Sequence, residues 1–257
     1  MALTEQRHTV RFPLPHLVEA TRATLIQAPV YLDGALVAPT GAGSSTLTIR
    51  KADGTDLVTG ATVVVTASVG EYTVLGSATA LTDLGEGWSA TWTLLVGSTT
   101  IVARNDMAVV RRQLRPVISD VDLIRRVRAL DTSLAAVITT QSNYQDQIDD
   151  SWLDIQLRLY ERGNRANLVM TPSAFVRSHR ALALAYIFED LVARGNASYS
   201  DTAKRYRDEF ESAWADLSFT YSSSDALAAD SNTRRRAADP TMWLAGAPAQ
   251  RSRWGER

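Results

Sequence analysis

Residues 111–126 read RRQLRPVISDVDLIRR, and the chain changes character inside them. Upstream of Arg115-Pro116, short runs rich in Val, Thr, Leu and Trp are separated by turn residues; downstream, the apolar residues recur at helical spacing. A block of strands followed by a block of helices predicts an α+β chain with two units, not an alternating fold. Ser119 and Asp122 have the spacing of a capping box and open a short helix to about Leu130.

Working back from this junction, strands are expected at Thr24–Leu32, Ser45–Lys51, Ala61–Ser68, Glu71–Ala78, Trp88–Val96 and Thr100–Arg112. Asp33-Gly34 and Asp53-Gly54 are turn signals, and Val69-Gly70-Glu71 and Val96-Gly97-Ser98 look like further tight connections. The run Ser89–Leu94 alternates small or polar with apolar residues, as a half-buried strand does. About six short strands with regular turns imply a small antiparallel sandwich or barrel. Residues 1–23, with Pro13 and Pro15, read as an arm along the surface.

Working forward, a helical segment is expected over 132–162, with a break near Thr139–Asn143. Ile148, Trp152, Ile155 and Leu159 lie on one of its faces, and Gly163-Asn164 ends it. Thr171-Pro172 starts a helix that reaches Arg194-Gly195. Its middle, Ala181 to Phe188, is apolar almost all round and predicts the central buried helix. Ser200 is read as the cap of a last helix striped by Tyr206, Phe210, Ala213 and Leu217. The resulting division is an arm at 1–23, a β-sandwich at 24–115, a helical domain at 116–221 and an extended arm at 222–257.

The chain has 257 residues, a hydrophobic fraction of 45% and a net charge of -1. It can bury a core, and its bulk charge predicts no strong pull toward nucleic acid or membrane. Without cysteine, disulfides, thiolate metal sites and a cysteine nucleophile are excluded. The first ten residues have no apolar segment of the secretory kind, and no apolar run is long enough to span a bilayer, so a soluble protein made in the cytoplasm is expected.

Catalysis needs acid, base, nucleophile or cofactor within mutual reach. His8, His16 and His179 form no ligand pair, and His179 reads as a boundary residue beside a core stripe. Asp146, Asp149, Asp150 and Asp154 could gather around a hard cation, but no second acidic motif accompanies them, and a solvated helix face near a positive dipole end is the plainer account. Residues 41–46 are glycine-rich without the lysine of a phosphate loop. Lys204–Asp208, Arg205–Glu209 and Arg207–Glu211 have i, i+4 spacing and read as surface ion pairs. The expectation is a protein with no catalytic residues, cofactor or metal.

Several stretches resemble the head–tail adaptor, or head-completion, proteins of tailed bacteriophages. In the β half these are VYLDGALVAPTGAGSSTLTIRKADGTDLV (30–58), GEYTVL (70–75) and LGEGWSATWTL (84–94). In the helical half they are the junction itself, IDDSWLDIQLRLYERG (148–163), TPSAFVRSHRALALAYIFEDL (171–191) and YRDEFESAWADL (206–217). The order of these helices carries the resemblance, which covers most of 24–220. It implies a structural virion protein of the neck, a homo-oligomeric and commonly twelve-fold ring below the portal, with double-stranded DNA passing through its centre. Partners would be the portal protein, a tail-side completion or terminator protein and, for the sandwich, the capsid. Arg125, Arg126, Arg128, Arg158, Arg162 and Arg165 are candidates for the channel wall or for contacts between subunits, through sequence-blind phosphate contacts in the first case. In the last segment, Arg234, Arg235, Arg236, Met242, Trp243, Leu244 and Trp254 are candidate docking residues, because arginine and aromatics anchor interfaces. The competing readings are another virion component, of tail completion or baseplate, and a cellular β-sandwich binding module.

Overall fold

The computed structural model describes residues 8–41, 43–131, 143–222 and 234–236. They divide into two compact units: 8–116 with Ala166–Pro172 and 221–222, and 117–165 with 173–220 and 234–236.

The first unit is a two-sheet sandwich. One sheet has the order β1 (His8–Val10), β3 (Thr24–Leu32), β8 (Val69–Val74), β7 (Val64–Thr66), and β4 (Ala35–Val37) also pairs with β3. The other has the order β2 (His16–Glu19), β10 (Thr99–Val110), β9 (Gly85–Val96), β5 (Thr46–Arg50), β6 (Asp56–Thr62). All pairings are antiparallel except β2 with β10, which is parallel, His16 facing Met107. Taking β1, β3, β8 and β7 as strands A, B, E and D and β10, β9, β5 and β6 as G, F, C and C′ gives the strand order of an immunoglobulin-like sandwich.

Alternation builds the core. In β3, residues 24, 26, 28 and 30 are buried while 25 and 27 are exposed; in β9, Trp88, Ala90, Trp92 and Leu94 point inward. Trp92, Leu47, Ile49, Leu94 and Met107 are the largest fully buried side chains of this core.

Three expectations change here. The single strand expected at Ala61–Ser68 is divided between the end of β6 in one sheet and β7 in the other. The stretch 1–23 is not simply a surface arm, because His8–Val10 and His16–Glu19 are paired strands in opposite sheets. Nor is Gly70 in a turn. It lies within β8, where an added Cβ would sit 3.2 Å from Val63 and 3.4 Å from Leu94. The β7–β8 turn is made by Ala67 and Ser68, both with positive φ. The Asp33-Gly34 hairpin does form, with positive φ at both central residues as a two-residue type I′ turn requires.

The second unit contains α1 (Asp120–Arg126), α2 (Gln145–Glu161), α3 (Val176–Ala193) and α4 (Ser200–Ala215). The Asp122 carboxylate accepts both the N–H and the hydroxyl of Ser119, which starts α1. The expected stripe Ile148, Trp152, Ile155 and Leu159 is buried, and so is Ala181–Phe188 of α3 apart from Tyr186. Gly163 and Gly195 end α2 and α3 with positive φ and paired return bonds: Asn164 N–H to Leu159 O with Gly163 N–H to Tyr160 O, and Asn196 N–H to Leu191 O with Gly195 N–H to Val192 O. Ser200 is the first residue of α4, not its cap; a 3-10 turn, Ala197–Tyr199, precedes it. The expected helical residues 132–142 lie outside the described ones. Among the described residues no helix is long and apolar enough to cross a membrane.

Candidate assembly surfaces

The arginines singled out from the sequence separate into two groups. Arg125, Arg126 and Arg128 are exposed at and just beyond the end of α1. Arg125 helps to lower the Asp122 pKa, behind the two Ser119 hydrogen bonds, and Arg126 reaches Glu209 of α4 at 3.6 Å. Arg158 is committed inside the helical unit. It makes a two-pronged pair with Glu211 at 2.8 and 3.0 Å and lies 4.5 Å from the centre of the Phe210 ring. Arg162 and Arg165 have partners of their own. Arg234, Arg235 and Arg236 form a short strand, β12, antiparallel to β11 (Ser218–Thr220), so this part of the expected extended arm is paired backbone. Met242, Trp243, Leu244 and Trp254 lie outside the described residues.

Two of the three expected i, i+4 pairs of α4, Arg205–Glu209 and Arg207–Glu211, give way to bridges between helices. Glu209 and Glu211 are taken by Arg126 and Arg158, and Arg207 makes a two-pronged contact with Glu189 of α3 at 2.6 and 2.7 Å. Arg207 also lies 5.1 Å from the Tyr186 ring centre, and the Tyr186 hydroxyl donates to Asp154 of α2. Burial, reinforced by Asp154, pushes the Tyr186 hydroxyl up to about 12. This chain of contacts ties α2, α3 and α4 together. Tyr186→Phe is therefore expected to cost the helical unit about 1.5–3 kcal/mol, the range for a hydrogen bond to a charged group, in denaturant titrations. An unchanged midpoint would show the bond to be idle.

The acidic face of α2 forms as expected. Asp149 accepts from Gln145 and Asp190 from Gln147, while partial desolvation and the charges of Asp146, Asp149, Asp154 and Asp190 raise the Asp150 pKa. Among the described residues no group of carboxylates and histidines is arranged to hold a metal ion. His179 is not a boundary residue. It is fully buried, its Nε2 lies 3.0 Å from the Ile148 carbonyl and its ring packs on Trp152.

Sequence reasoning missed the centre of polar contacts at Glu19. This buried carboxylate accepts the Gln113 N–H at 2.8 Å and is flanked by Arg115 and Arg22 at 3.5 and 3.6 Å. Partners almost a hundred residues away leave no local signal.

The two outer faces of the sandwich differ. On the β10–β9–β5–β6 sheet, threonines stand in rows: Thr62, Thr46 and Thr93 lead to Val102, and Thr48 and Thr91 lead to Arg104. The opposite sheet is more apolar. Leu25 pairs across from Thr73, Val64 from Glu71 and Leu36 from Tyr31, and Leu25, Val64 and Leu36 are 51%, 62% and 44% exposed. A Gln27–Glu71 hydrogen bond of 2.7 Å crosses the middle of this face, and Arg11 lies over Tyr31.

No protein-family model matches the chain, and no curated protein is recognisably similar to it. Among solved structures, titin domain M7 is similar at 11% identity, over 40% of this chain and 94% of that one, with a TM-score of 0.25. A chain of the titin M10–obscurin-like 1 Ig complex is similar at 15% identity, over 41% and 95%, also with a TM-score of 0.25.

Proposed function

We propose that this protein is a non-enzymatic assembly subunit whose sandwich docks onto a neighbour and whose helical unit forms the body of the assembly. The observation that carries the reading is the outer face of the β1–β3–β8–β7 sheet. Three large aliphatic side chains stand in solvent there, on one regular surface with polar residues between them. Scattered surface leucines are ordinary; several aligned on one sheet face are the composition of a docking surface. The helical unit adds the resemblance in helix order to phage head–tail adaptors. In that form of the proposal the assembly is a ring at the virion neck, contacted by the portal, a tail-side completion protein and the capsid, with DNA passing through its centre. Arg125, exposed in the last turn of α1, and Arg128, exposed just beyond it, are then better suited to neighbours or phosphates than Arg158, which is held by Glu211.

A second reading, a free-standing β-sandwich binding module, is favoured by the separate core of the sandwich unit. Negative-stain images and mass measurements of the purified chain distinguish the two: a closed ring is expected for the adaptor, and a monomer at all concentrations would remove it. Within the adaptor reading the last segment is a docking arm. Ending the chain after Arg236 keeps the β11–β12 pair and should leave the melting temperature unchanged while attachment to portal-bearing heads is lost. Undiminished attachment would take residues 237–257 out of the docking role.

A further inference from the structure

We infer that His179 makes the helical unit acid-labile: protonation of this one imidazole weakens the packing of α2 on α3 and lowers the stability of the bundle. The inference is independent of the adaptor reading.

The geometry fixes the state of the ring. Its Nε2 lies 3.0 Å from the Ile148 carbonyl, an acceptor, so Nε2 carries the hydrogen and Nδ1 the lone pair. The same carbonyl accepts the buried Ser151 hydroxyl at 2.9 Å. Nδ1 is buried and has no hydrogen-bond partner. A neutral ring tolerates an unused lone pair. A protonated ring gains a second N–H and a charge, with no acceptor for the one and no counter-ion for the other.

The surroundings supply no relief. From α2 the ring meets Trp152, 4.7 Å between centroids, and the Ile148 backbone. Asp149 and Asp150, next along α2, are exposed, and Asp149 is engaged by Gln145. On α3, the adjacent Arg180 acts on Asp122 of α1. From α4, Arg207 is held by Glu189. Burial is the larger influence on the ring and the Ile148 carbonyl the smaller; among the described residues no charged side chain contributes. Burial lowers the imidazole and outweighs the Ile148 carbonyl, which raises it, leaving the ring at about 4, from an ordinary 6.5.

The sign follows. The folded state resists the proton and the unfolded chain accepts it, so stability is complete above the ordinary histidine range and falls as pH drops toward 4. For this shift the unfolded-to-folded ratio of the helical unit should rise roughly fifty- to a hundredfold between about pH 7.5 and about pH 4.5.

The test compares the full-length chain with His179→Gln, whose side-chain amide can still donate to Ile148 but does not titrate, and with His179→Phe, which keeps a ring of similar bulk. Denaturant titrations followed by helical circular dichroism at both pH values should show this excess in the parent and its absence in either variant that folds. Carboxylate titration affects all three alike and cancels in the comparison. Histidine-labelled NMR gives a readout that needs no variant. While the unit is folded the His179 ring should keep its neutral Nε2–H signature through the ordinary histidine range and gain its second proton only as pH falls toward 4. Parallel pH dependence in parent and variants, or protonation of His179 within an intact bundle already in the ordinary histidine range near pH 6.5, would overturn the inference.

Discussion

Trp92→Ala is expected to cost the sandwich about 3–5 kcal/mol, the range for removing a large aromatic side chain from a packed core. Trp92 is fully buried on β9, between Leu47 of β5 and Ala103 of β10 in the cross-strand register, with the His16 ring 6.0 Å away. No disulfide spans the two sheets, since the chain has no cysteine, and the indole occupies the centre that such a bridge would otherwise pin. Trp92→Phe should cost much less. It keeps an aromatic ring and removes an indole N–H that is buried without a partner. Chemical denaturation read by near-ultraviolet circular dichroism separates the two variants. A loss below about 1 kcal/mol for the alanine variant would mean that the sheets close over the cavity, contrary to close packing around the ring.

Phe175→Ala should do comparable damage to the helical unit, about 3–5 kcal/mol for the lost volume, with further loss from its ring pairs. Phe175 is fully buried, and three rings surround it: Phe219 at 5.3 Å, Trp152 at 6.1 Å edge-on, and Trp214 at 6.4 Å. It thereby joins the approach to α3 with α2, α4 and β11. Phe219 is the middle residue of β11, so the variant should also free the β11–β12 pair. Hydrogen exchange at 218–220 would then accelerate beyond the rate that global destabilisation accounts for. Slow exchange there in the variant would show that the strand pair stands without the aromatic cluster.

The parts of the fold written locally were legible. The stripe Ile148–Leu159 and the apolar run Ala181–Phe188 carry their period in the sequence, and both are core. The Asp33-Gly34 turn is dictated by the backbone freedom of its residues. What escaped depends on distant partners. His16–Glu19 is too short and too close to prolines to announce a strand, and it becomes one because β10 offers an edge. The β7–β8 turn uses Ala67 and Ser68 at positive φ, a conformation neither residue type advertises. Lys204, Arg205 and Arg207 have ideal spacing for pairs along α4, yet Arg207 finds a better-placed, partly buried carboxylate on α3. His179 looks amphipathic from spacing alone, and its depth is set by where α2 crosses α3. The candidate surfaces were less legible still. Exposed aliphatics on β3, β4 and β7 become one face only after the strands are registered.

The parallel pairing of β2 with β10 has a consequence for synthesis. His16 must wait for Met107, and its edge of the sheet has no partner until β10 has left the ribosome. Glu19 waits equally for Gln113 and Arg115. Closure of so distant a pair is entropically expensive and comes late in folding. The nascent sandwich therefore carries an open edge through most of its own translation and seals it as the junction to the helices emerges. Residues 111–116, where the sequence changes character, thus follow directly on the strand that seals this sheet edge, whereas the first unit as a whole also waits for Ala166–Pro172, to which Arg112 donates a hydrogen bond at Val169.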